Sequence, residues 1–260
     1  MLSMTKTTTL LLSGTLLLTA TACGDDADPA GAGGAGGAGG ESASPMEYAV
    51  LVRGPLFTAD IDEAQAYHDT LASAGEQDAK ALGDFGHDAM LGTSLLGTAE
   101  NTFLGLDRWS DAQGLQTFYA NPDFAEAFGM LFSAPPTLET FVHQPEWHGW
   151  GELTSGDTAD VHYFVIVRGH LAEADPDAAR AAHDMVAAGG QEAAEAAGDQ
   201  AHVVFTGLDE PREFLAIDIW HDDTNIEALY TNPDFGAAFG ALFDSPPTLT
   251  VFRSTDWHQW

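Results

Sequence analysis

Positive charge and cysteine are both scarce in this chain of 260 residues. Eight Lys and Arg residues stand against 40 Asp and Glu residues, which gives a formal net charge of −32 at pH 7. A polyanion of this size repels phosphate backbones, so nucleic acid is not an expected partner. The single cysteine excludes an internal disulfide, a Cys-rich zinc module and a CxxC redox pair. Packing must therefore hold the fold, and a hydrophobic content of 45% is enough for ordinary cores.

The N-terminal segment has the pattern of an export signal. Lys6 precedes an apolar, Leu- and Thr-rich run over residues 7–18, which is too short to span a bilayer. Small residues then lead to Cys23, and the segment resembles the lipobox of bacterial lipoproteins, with Ala20 where that motif more often has Leu. The resemblance implies a signal peptide at residues 1–22, a lipidated Cys23, and an exported protein anchored to a bacterial membrane on its periplasmic or cell-surface side. Ordinary cleavage that leaves a free thiol is the alternative.

A Gly- and Ala-rich stretch follows the cysteine, and residues 23–46 are predicted to form a flexible tether. Beyond the tether the chain is duplicated. We define repeat 1 as residues 47–150 and repeat 2 as residues 162–260, joined by a connector at residues 151–161. About half of the positions are identical where residues 48–87 align with 163–202 and where residues 103–141 align with 214–252.

Each repeat has the pattern of a ferredoxin-like unit. An apolar, β-branched run opens it and is typical of a strand buried on both faces. A helix, a hairpin, a second helical region and a last strand follow, which gives the order β-α-β-β-α-β. We expect an α+β fold in which the two ferredoxin-like repeats cover each other's sheets and close an intramolecular, pseudo-dimeric α/β barrel, so that the protein is a monomer. The predicted helix N-caps are Asp60, Asp111, Asp175 and Asp222, together with Asn121 and Asn232, which each begin an Asn-Pro-Asp segment.

A short motif in both repeats resembles the antibiotic biosynthesis monooxygenase-like (ABM) family. It reads FLGLDRWSD at residues 103–111 and FLAIDIWHD at residues 214–222, each followed by NPDF. The resemblance implies the barrel that ABM members form as dimers, here made by tandem fusion. ABM members include cofactor-independent, quinone-forming oxygenases and haem-degrading enzymes, so no cofactor is expected and haem is the alternative.

One position departs from the ABM pattern. Members of the family commonly have a histidine nine residues after the tryptophan, and this chain has Phe118 and Leu229 there. A haem-ligating or proton-transferring role at that position is therefore in doubt. Tyr119 and Tyr230 stand one residue later and are expected to face about 100° away.

Three histidine pairs occupy equivalent places in the two repeats. His68 and His183 lie on the predicted apolar stripe of the first helix, and we predict a catalytic role for them, as the groups that deprotonate a substrate. The alternative is a core histidine bonded to a backbone carbonyl. Since about 21 Å of helix separates His68 from Leu82, we expect His68 not to meet His87, and we predict no metal site.

The remaining candidates form a predicted ligand-binding set. The second strand of each repeat is predicted to start at His87 or His202. Hairpin pairing brings these histidines near Asp107 and Asp218, as a general base or a cross-strand ion pair. The arginines of the first strands are candidates to bind a carboxylate or enolate, or to pair with a buried acid. Tryptophans at the end of each repeat, in WHGW and WHQW, cover a pocket mouth or seal the barrel ends. The predicted ligand-binding residues are Arg53, Arg168, His87, His202, Asp107, Asp218, Trp109 and Trp220.

Three functions are compatible with these observations. The first is a lipid-anchored envelope protein that binds a small, partly aromatic molecule. The second is a cofactor-independent monooxygenase that acts on a phenol or quinol. The third is a structural or interaction module without a ligand. A solid interior, filled by the protein's own side chains, would exclude the first two.

Overall fold

The computed structural model describes residues 47–153 and 161–260. The predicted signal peptide, the lipidated Cys23, the tether and most of the connector lie outside the described residues. Within the described ranges, no helix has the length and apolar character needed to cross a membrane.

Eight antiparallel strands close into a barrel with the order β1-β3-β2-β8-β5-β7-β6-β4, and β4 pairs again with β1. Every strand therefore has two hydrogen-bonded neighbours. Repeat 1 and repeat 2 are joined by two seams, β2 with β8 and β4 with β6. The strands are β1 (Tyr48–Pro55), β2 (Asp84–Gly92), β3 (Thr102–Trp109), β4 (Thr137–His143), β5 (Tyr163–His170), β6 (Asp199–Gly207), β7 (Glu213–Trp220) and β8 (Thr248–Ser254).

Six α-helices pack on the outside of this barrel. The order of elements in each repeat is β-α-β-β-α-α-β, so the predicted second helical region is two short helices. A 3₁₀ turn at Leu95–Gly97 is specific to repeat 1. The helices are α1 (Ile61–Ala81), α2 (Ala112–Tyr119), α3 (Pro122–Gly129), α4 (Pro176–Ala197), α5 (Ile226–Tyr230) and α6 (Pro233–Gly240).

The strands are apolar on both faces because each face has a different cover. In β1, Ala49 and Leu51 point into the barrel and join a core that draws on both repeats. Val50 and Val52 alternate with them and pack against the helices of repeat 1. The helices of repeat 2 cover a third core in the same way. The fold is thus an α+β barrel whose outer face, between sheet and helices, is where the pockets form.

Five of the six predicted caps are confirmed and one is wrong. The side chains of Asn121 and Asn232 accept backbone N–H bonds in the first turns of α3 and α6. The side chains of Asp60, Asp111 and Asp175 accept backbone N–H bonds in the first turns of α1, α2 and α4. Asp222 caps no helix, because α5 begins four residues later, at Ile226. Its carboxylate instead accepts the N–H of Thr224 in a local turn.

Candidate functional site

A pair of histidines lies between helix and sheet in each repeat. In repeat 1, His68 Nε2 of α1 is 3.2 Å from His87 Nε2 of β2. In repeat 2, His183 Nε2 of α4 is 3.1 Å from His202 Nε2 of β6. The two rings of each pair are nearly parallel, with centroids 5.3 Å apart.

The expectation that His68 and His87 do not meet is wrong. The helical rise from His68 to Leu82 is about 21 Å at 1.5 Å per residue. The chain then turns back at Gly83, and the five residues from Leu82 to His87 recover about 16 Å at 3.3 Å per residue in a strand. The imidazole side chains span the remaining gap. The rise of the helix alone therefore overstates the distance between His68 and His87, because the strand returns along the helix.

Each histidine pair is held between carboxylates. His87 is directly opposite Asp107 in the register of β2 and β3, and its Nδ1 is hydrogen-bonded to Asp107 Oδ1. His68 Nδ1 is 3.1 Å from Asp69 Oδ1. All four imidazole nitrogens of the pair therefore have a partner.

Tyr119 completes the cluster, although its position on α2 was expected to face about 100° away from that of Phe118. Its hydroxyl donates to Asp107 Oδ2. The pocket wraps around the C-terminal end of α2, so Phe118 and Tyr119 both border it although they point in different directions. Burial and the negative charge of Asp107 raise the pKa of Tyr119 well above its usual value, so this phenol is a hydrogen-bond donor and not a base.

We call the hydrogen-bonded side chains Tyr119, Asp107, His87, His68 and Asp69 the acid–base chain of repeat 1. Repeat 2 has the same chain with the same bonds. His202 Nδ1 is 2.5 Å from Asp218 Oδ1, and His183 Nδ1 is 3.2 Å from Asp184 Oδ1. The hydroxyl of Tyr230 donates to Asp218 Oδ2. The second chain is thus Tyr230, Asp218, His202, His183 and Asp184.

Burial and charge set the protonation of these groups. Burial, with the nearby charge of His87, lowers the pKa of His68 to about 4. Burial alone would also lower the pKa of His87, but the Asp107 carboxylate outweighs it and raises that pKa above the usual value. In repeat 2, burial and His202 lower the pKa of His183 to about 4. His68 is therefore the neutral partner of a protonated His87.

Sequence reasoning missed a buried carboxyl group in each site. Burial and the charge of Asp107 raise the pKa of Asp84 to about 8, and burial and Asp218 raise the pKa of Asp199 to about 9. Both residues were overlooked because the second strand was predicted to start at His87, whereas it starts at Asp84. The available signal was an acid three residues before a histidine in both repeats.

The acid–base chain of repeat 1 borders a pocket, here pocket 1, and that of repeat 2 borders pocket 2. The free volumes are about 40 Å³ and about 50 Å³, both partly open to solvent. The polar groups of pocket 1 are on one side, and apolar side chains form the rest. The apolar lining of pocket 1 includes Leu71, Phe118, Phe124, Phe128 and Trp260, and that of pocket 2 includes Trp150, Val186, Leu229, Phe235 and Phe239.

The terminal segments of the two repeats are exchanged. Trp260 of repeat 2 stacks on His87 of repeat 1 at 4.6 Å between ring centroids. Trp150 of repeat 1 stacks on His202 of repeat 2 at 4.8 Å. Each tryptophan borders the pocket that it covers. The first tryptophan of WHQW differs, because Trp257 is buried in the core of repeat 1.

The tails are anchored by the outer carboxylates of the acid–base chains. The backbone N–H of His258 donates to Asp69 Oδ1 at 2.7 Å. The backbone N–H of His148 donates to Asp184 Oδ1 at 2.6 Å. Each outer carboxylate therefore bonds both a chain histidine and the tail of the other repeat.

The other predicted ligand-binding residues are not in the pockets. Arg53 and Arg168 are on the inner face of the barrel, because their positions alternate with the helix-facing residues of β1 and β5. Arg53 lies over the ring of Phe252 and Arg168 over that of Phe141. Arg168 also pairs with Glu139, whereas no carboxylate of the described residues is within ion-pair distance of Arg53.

The tryptophans of the family-like motif are also placed behind the pockets. Trp109 and Trp220 are fully buried. Trp109 packs against Phe118 and Tyr119, and Trp220 packs against Tyr230. They support the pocket walls from the core side and do not border the free volume.

The donor set does not fit a haem iron or another metal. All nitrogens of the paired histidines are bonded to side chains, and the histidine that ABM members have on the second helix is absent. The free volumes are also far smaller than a haem group. Within residues 47–153 and 161–260, no group of three or more His, Cys, Asp or Glu side chains has the arrangement of a metal site.

No protein-family model and no curated protein matches this sequence. Solved structures match its fold. An anthrone oxidase-like protein is 17% identical, with a TM-score of 0.58 over 84% of this chain and 94% of its own. A "putative monooxygenase" from Lactobacillus acidophilus NCFM is 12% identical, with a TM-score of 0.53 over 81% and 95%. Another of that name from Fusobacterium nucleatum is 7% identical, with a TM-score of 0.58 over 83% and 97%. At these identities the likeness shows the α+β barrel fold alone.

Proposed function

We propose that the protein is a cofactor-independent, monooxygenase-like enzyme that oxidises a small aromatic compound in pockets 1 and 2. The observation that carries this proposal is the acid–base chain, which borders an apolar pocket and is present in both repeats. The shared fold with an anthrone oxidase-like protein and with proteins named as monooxygenases supports it.

The pocket lining favours a substrate with one polar edge and an aromatic body. The body packs against phenylalanines, while the polar edge meets Asp84 and Asp107. Asp84 keeps its proton at neutral pH and so donates a hydrogen bond to a developing oxyanion. An aromatic ring needs more room than about 40 Å³, since a cavity that holds benzene measures about 150 Å³. Trp260 must therefore shift to admit it.

The proposed reaction is oxidation of an anthrone-type CH₂ group or of a quinol by O₂. The substrate loses a proton to the acid–base chain, which takes it up at Asp107 or Asp218 and passes a proton on through His68 or His183. For a CH₂ substrate, the carbanion bonds to O₂ and takes up a proton to give a hydroperoxide. Loss of water then leaves a carbonyl, so one oxygen atom stays in the product and the other becomes water. The apolar lining favours the binding of O₂, and the stoichiometry of the proposed reaction needs no cofactor.

Oxygen uptake in the presence of anthrones, naphthols and hydroquinones tests this proposal. We expect uptake that is matched by formation of a quinone. The double variant with His68→Ala and His183→Ala should lose turnover by about 10²-fold or more, the usual contribution of acid–base catalysis. His221→Ala is the matched control, because the side chain of this histidine is 69% exposed and lines neither pocket.

The outcomes separate the three candidate functions. Unchanged turnover in the double variant would refute the catalytic role of His68 and His183. Retention of a small molecule in native mass spectrometry without oxygen uptake would favour a binding protein, a second candidate supported by the apolar lining. Neither retention nor uptake would leave a structural module.

We also propose where the protein acts and how it is assembled. Lipidation of Cys23 would hold a monomer on a bacterial membrane, outside the cytoplasm. The barrel of repeats 1 and 2 would be the intramolecular counterpart of the dimeric ABM barrel. Labelling with a radioactive fatty acid tests the anchor, and Cys23→Ser should abolish incorporation.

A further inference from the structure

We infer that each acid–base chain is a proton relay that connects its pocket with solvent. In repeat 1 the proton enters at Asp107 and leaves at Asp69, and in repeat 2 it enters at Asp218 and leaves at Asp184. The inference rests on the proposed function for the source of the proton. The path itself is argued from geometry.

The relay of repeat 1 is continuous from a buried to an exposed carboxylate. Asp107 borders pocket 1 and its side chain is 10% exposed. It is bonded to His87, which is 3.2 Å from His68, which in turn is 3.1 Å from Asp69. The side chain of Asp69 is 34% exposed. Every link is within hydrogen-bond distance, so a proton needs no water molecule inside the protein to cross.

Repeat 2 contains the same path. The side chain of Asp218 is 5% exposed and that of Asp184 is 30% exposed. The two histidines between them have the same nitrogen-to-nitrogen contact. Since the relays share no side chain, each serves its own pocket.

The number of protons in the relay follows from its hydrogen bonds. Each Nδ1 faces a carboxylate oxygen and therefore carries a proton. The two Nε2 atoms face each other, and one proton between them makes the third bond. The pair thus holds three protons on four nitrogens and carries one positive charge.

Carboxyl groups surround this charge from several elements and stabilise it. Asp69 of α1 and Asp107 of β3 bond the two imidazoles, and Asp88 of β2 also raises the pKa of His87. Asp84 of β2 and Tyr119 of α2 border the pair as well, but their raised pKa values leave both neutral at neutral pH.

A proton that enters this filled relay displaces another at its far end. The substrate X–H bond breaks, with X the acidic carbon or oxygen, and an O–H bond forms on Asp107. The shared proton moves fully to His68 Nε2, and the Nδ1 proton of His68 passes to Asp69 and then to water. One proton enters and one leaves, and the histidine pair ends neutral.

The test that does not depend on turnover is proton exchange measured by NMR with ¹⁵N-labelled histidine. In Asp69→Asn, the amide oxygen still accepts the N–H of His258 but the side chain takes up no proton. We expect the imidazole N–H protons of His68 and His87 to exchange with water about tenfold more slowly, or slower still. Those of His183 and His202 should be unchanged. Asp78→Asn, the same charge change on the exposed face of α1, should alter neither pair.

A purely structural role for Asp69 predicts faster, not slower, exchange of the imidazole N–H protons in Asp69→Asn. If Asp69 only anchors the tail, its replacement loosens Trp260 over His87 and speeds exchange. Faster or unchanged exchange in Asp69→Asn would therefore overturn the relay. Absence of a proton shared between the two Nε2 atoms in the ¹⁵N spectrum would overturn it as well.

Turnover provides a second, separable readout. In a protein that oxidises a test phenol, Asp69→Asn and Asp184→Asn together should lower kcat, raise the solvent deuterium isotope effect on kcat, and be rescued by added formate. Slowed exchange in a protein without oxygen uptake would refute the proposed enzyme and retain the relay. Uptake with normal isotope effect and no rescue would refute the relay and retain the enzyme.

Discussion

Single residues in the pockets are held in protonation states that differ from those in the unfolded chain. Asp84 and Asp199 are the clearest cases, because burial beside a second aspartate makes ionisation costly. A neutral carboxylic acid beside an apolar wall is a hydrogen-bond donor, as the proposed reaction requires. The same feature makes the stability of the fold sensitive to pH.

Asp84→Asn should stabilise the protein increasingly as the pH rises from about 4 to about 8. In the folded state the pKa of Asp84 is about 8, against 3.8 ordinarily. Between these values the folded state holds a proton that the unfolded state has lost, so the free energy of unfolding falls as pH rises. Asparagine has no such proton. Urea titrations at several pH values measure the difference between variant and parent.

The control for that series is Asp78→Asn, because Asp78 is exposed on α1. Its effect on the free energy of unfolding should vary little over the same pH range. A constant difference between Asp84→Asn and the parent would contradict the assignment of a protonated Asp84.

The ends of the secondary-structure elements fix the positions of the side chains that line the pockets. The N-cap of α2 sets where Tyr119 emerges, two residues before Asn121, the N-cap of α3. Asp111 accepts two backbone N–H bonds there, whereas its counterpart Asp222 binds only a local turn and leaves α5 three residues shorter than α2. The two repeats are therefore a natural comparison of a capped and an uncapped helix.

Asp111→Ala should lower the free energy of unfolding by about 1 kcal/mol, the usual cost of removing an N-cap. Asp222→Ala should cost less, because no helix N-terminus depends on it. Thermal and urea denaturation of the two variants compare them directly. An equal or larger loss for Asp222→Ala would show that the turn at Thr224, and not helix capping, supports this region.

At the largest scale, residues 47–153 and 161–260 form a closed barrel with no free strand edge among the described strands. The two repeats pair with each other at two strand seams, and each places one tryptophan-bearing tail against the other's histidine pair. An open edge would be a template for association with another chain, and closure removes it. The large net negative charge adds mutual repulsion between copies.

Native mass spectrometry and light scattering should therefore show a monomer at micromolar concentration. Residues 47–153 alone should not be a folded monomer, since β2 and β4 would each lose a neighbour and pocket 1 would lose Trp260. A dimer of the intact chain would show that the repeats do not complete each other's barrel. A stable monomeric repeat 1 would show that the seams are dispensable.

The sequence by itself determined the local features of the fold. The strand and helix order and five of the six caps follow from patterns within about 20 residues, and the duplication follows from aligning the chain with itself. The pairing of His87 with Asp107 also follows, because a hairpin fixes which residues are opposite each other. The second short helix of each repeat was indicated by its Asn-Pro-Asp segment, although the simple order β-α-β-β-α-β did not count it.

The tertiary structure alone decided which of these local features meet. The contact of His68 with His87 depends on the rise of a helix against that of the returning strand, and a register error of a few residues would separate them. Asp84 entered the site because β2 starts three residues earlier than its pattern indicates. The placement of Arg53 and Arg168 inside the barrel follows from the curvature of a closed sheet. The exchange of Trp150 and Trp260 joins residues far apart in sequence, and such contacts depend on how the whole chain closes and not on any local pattern.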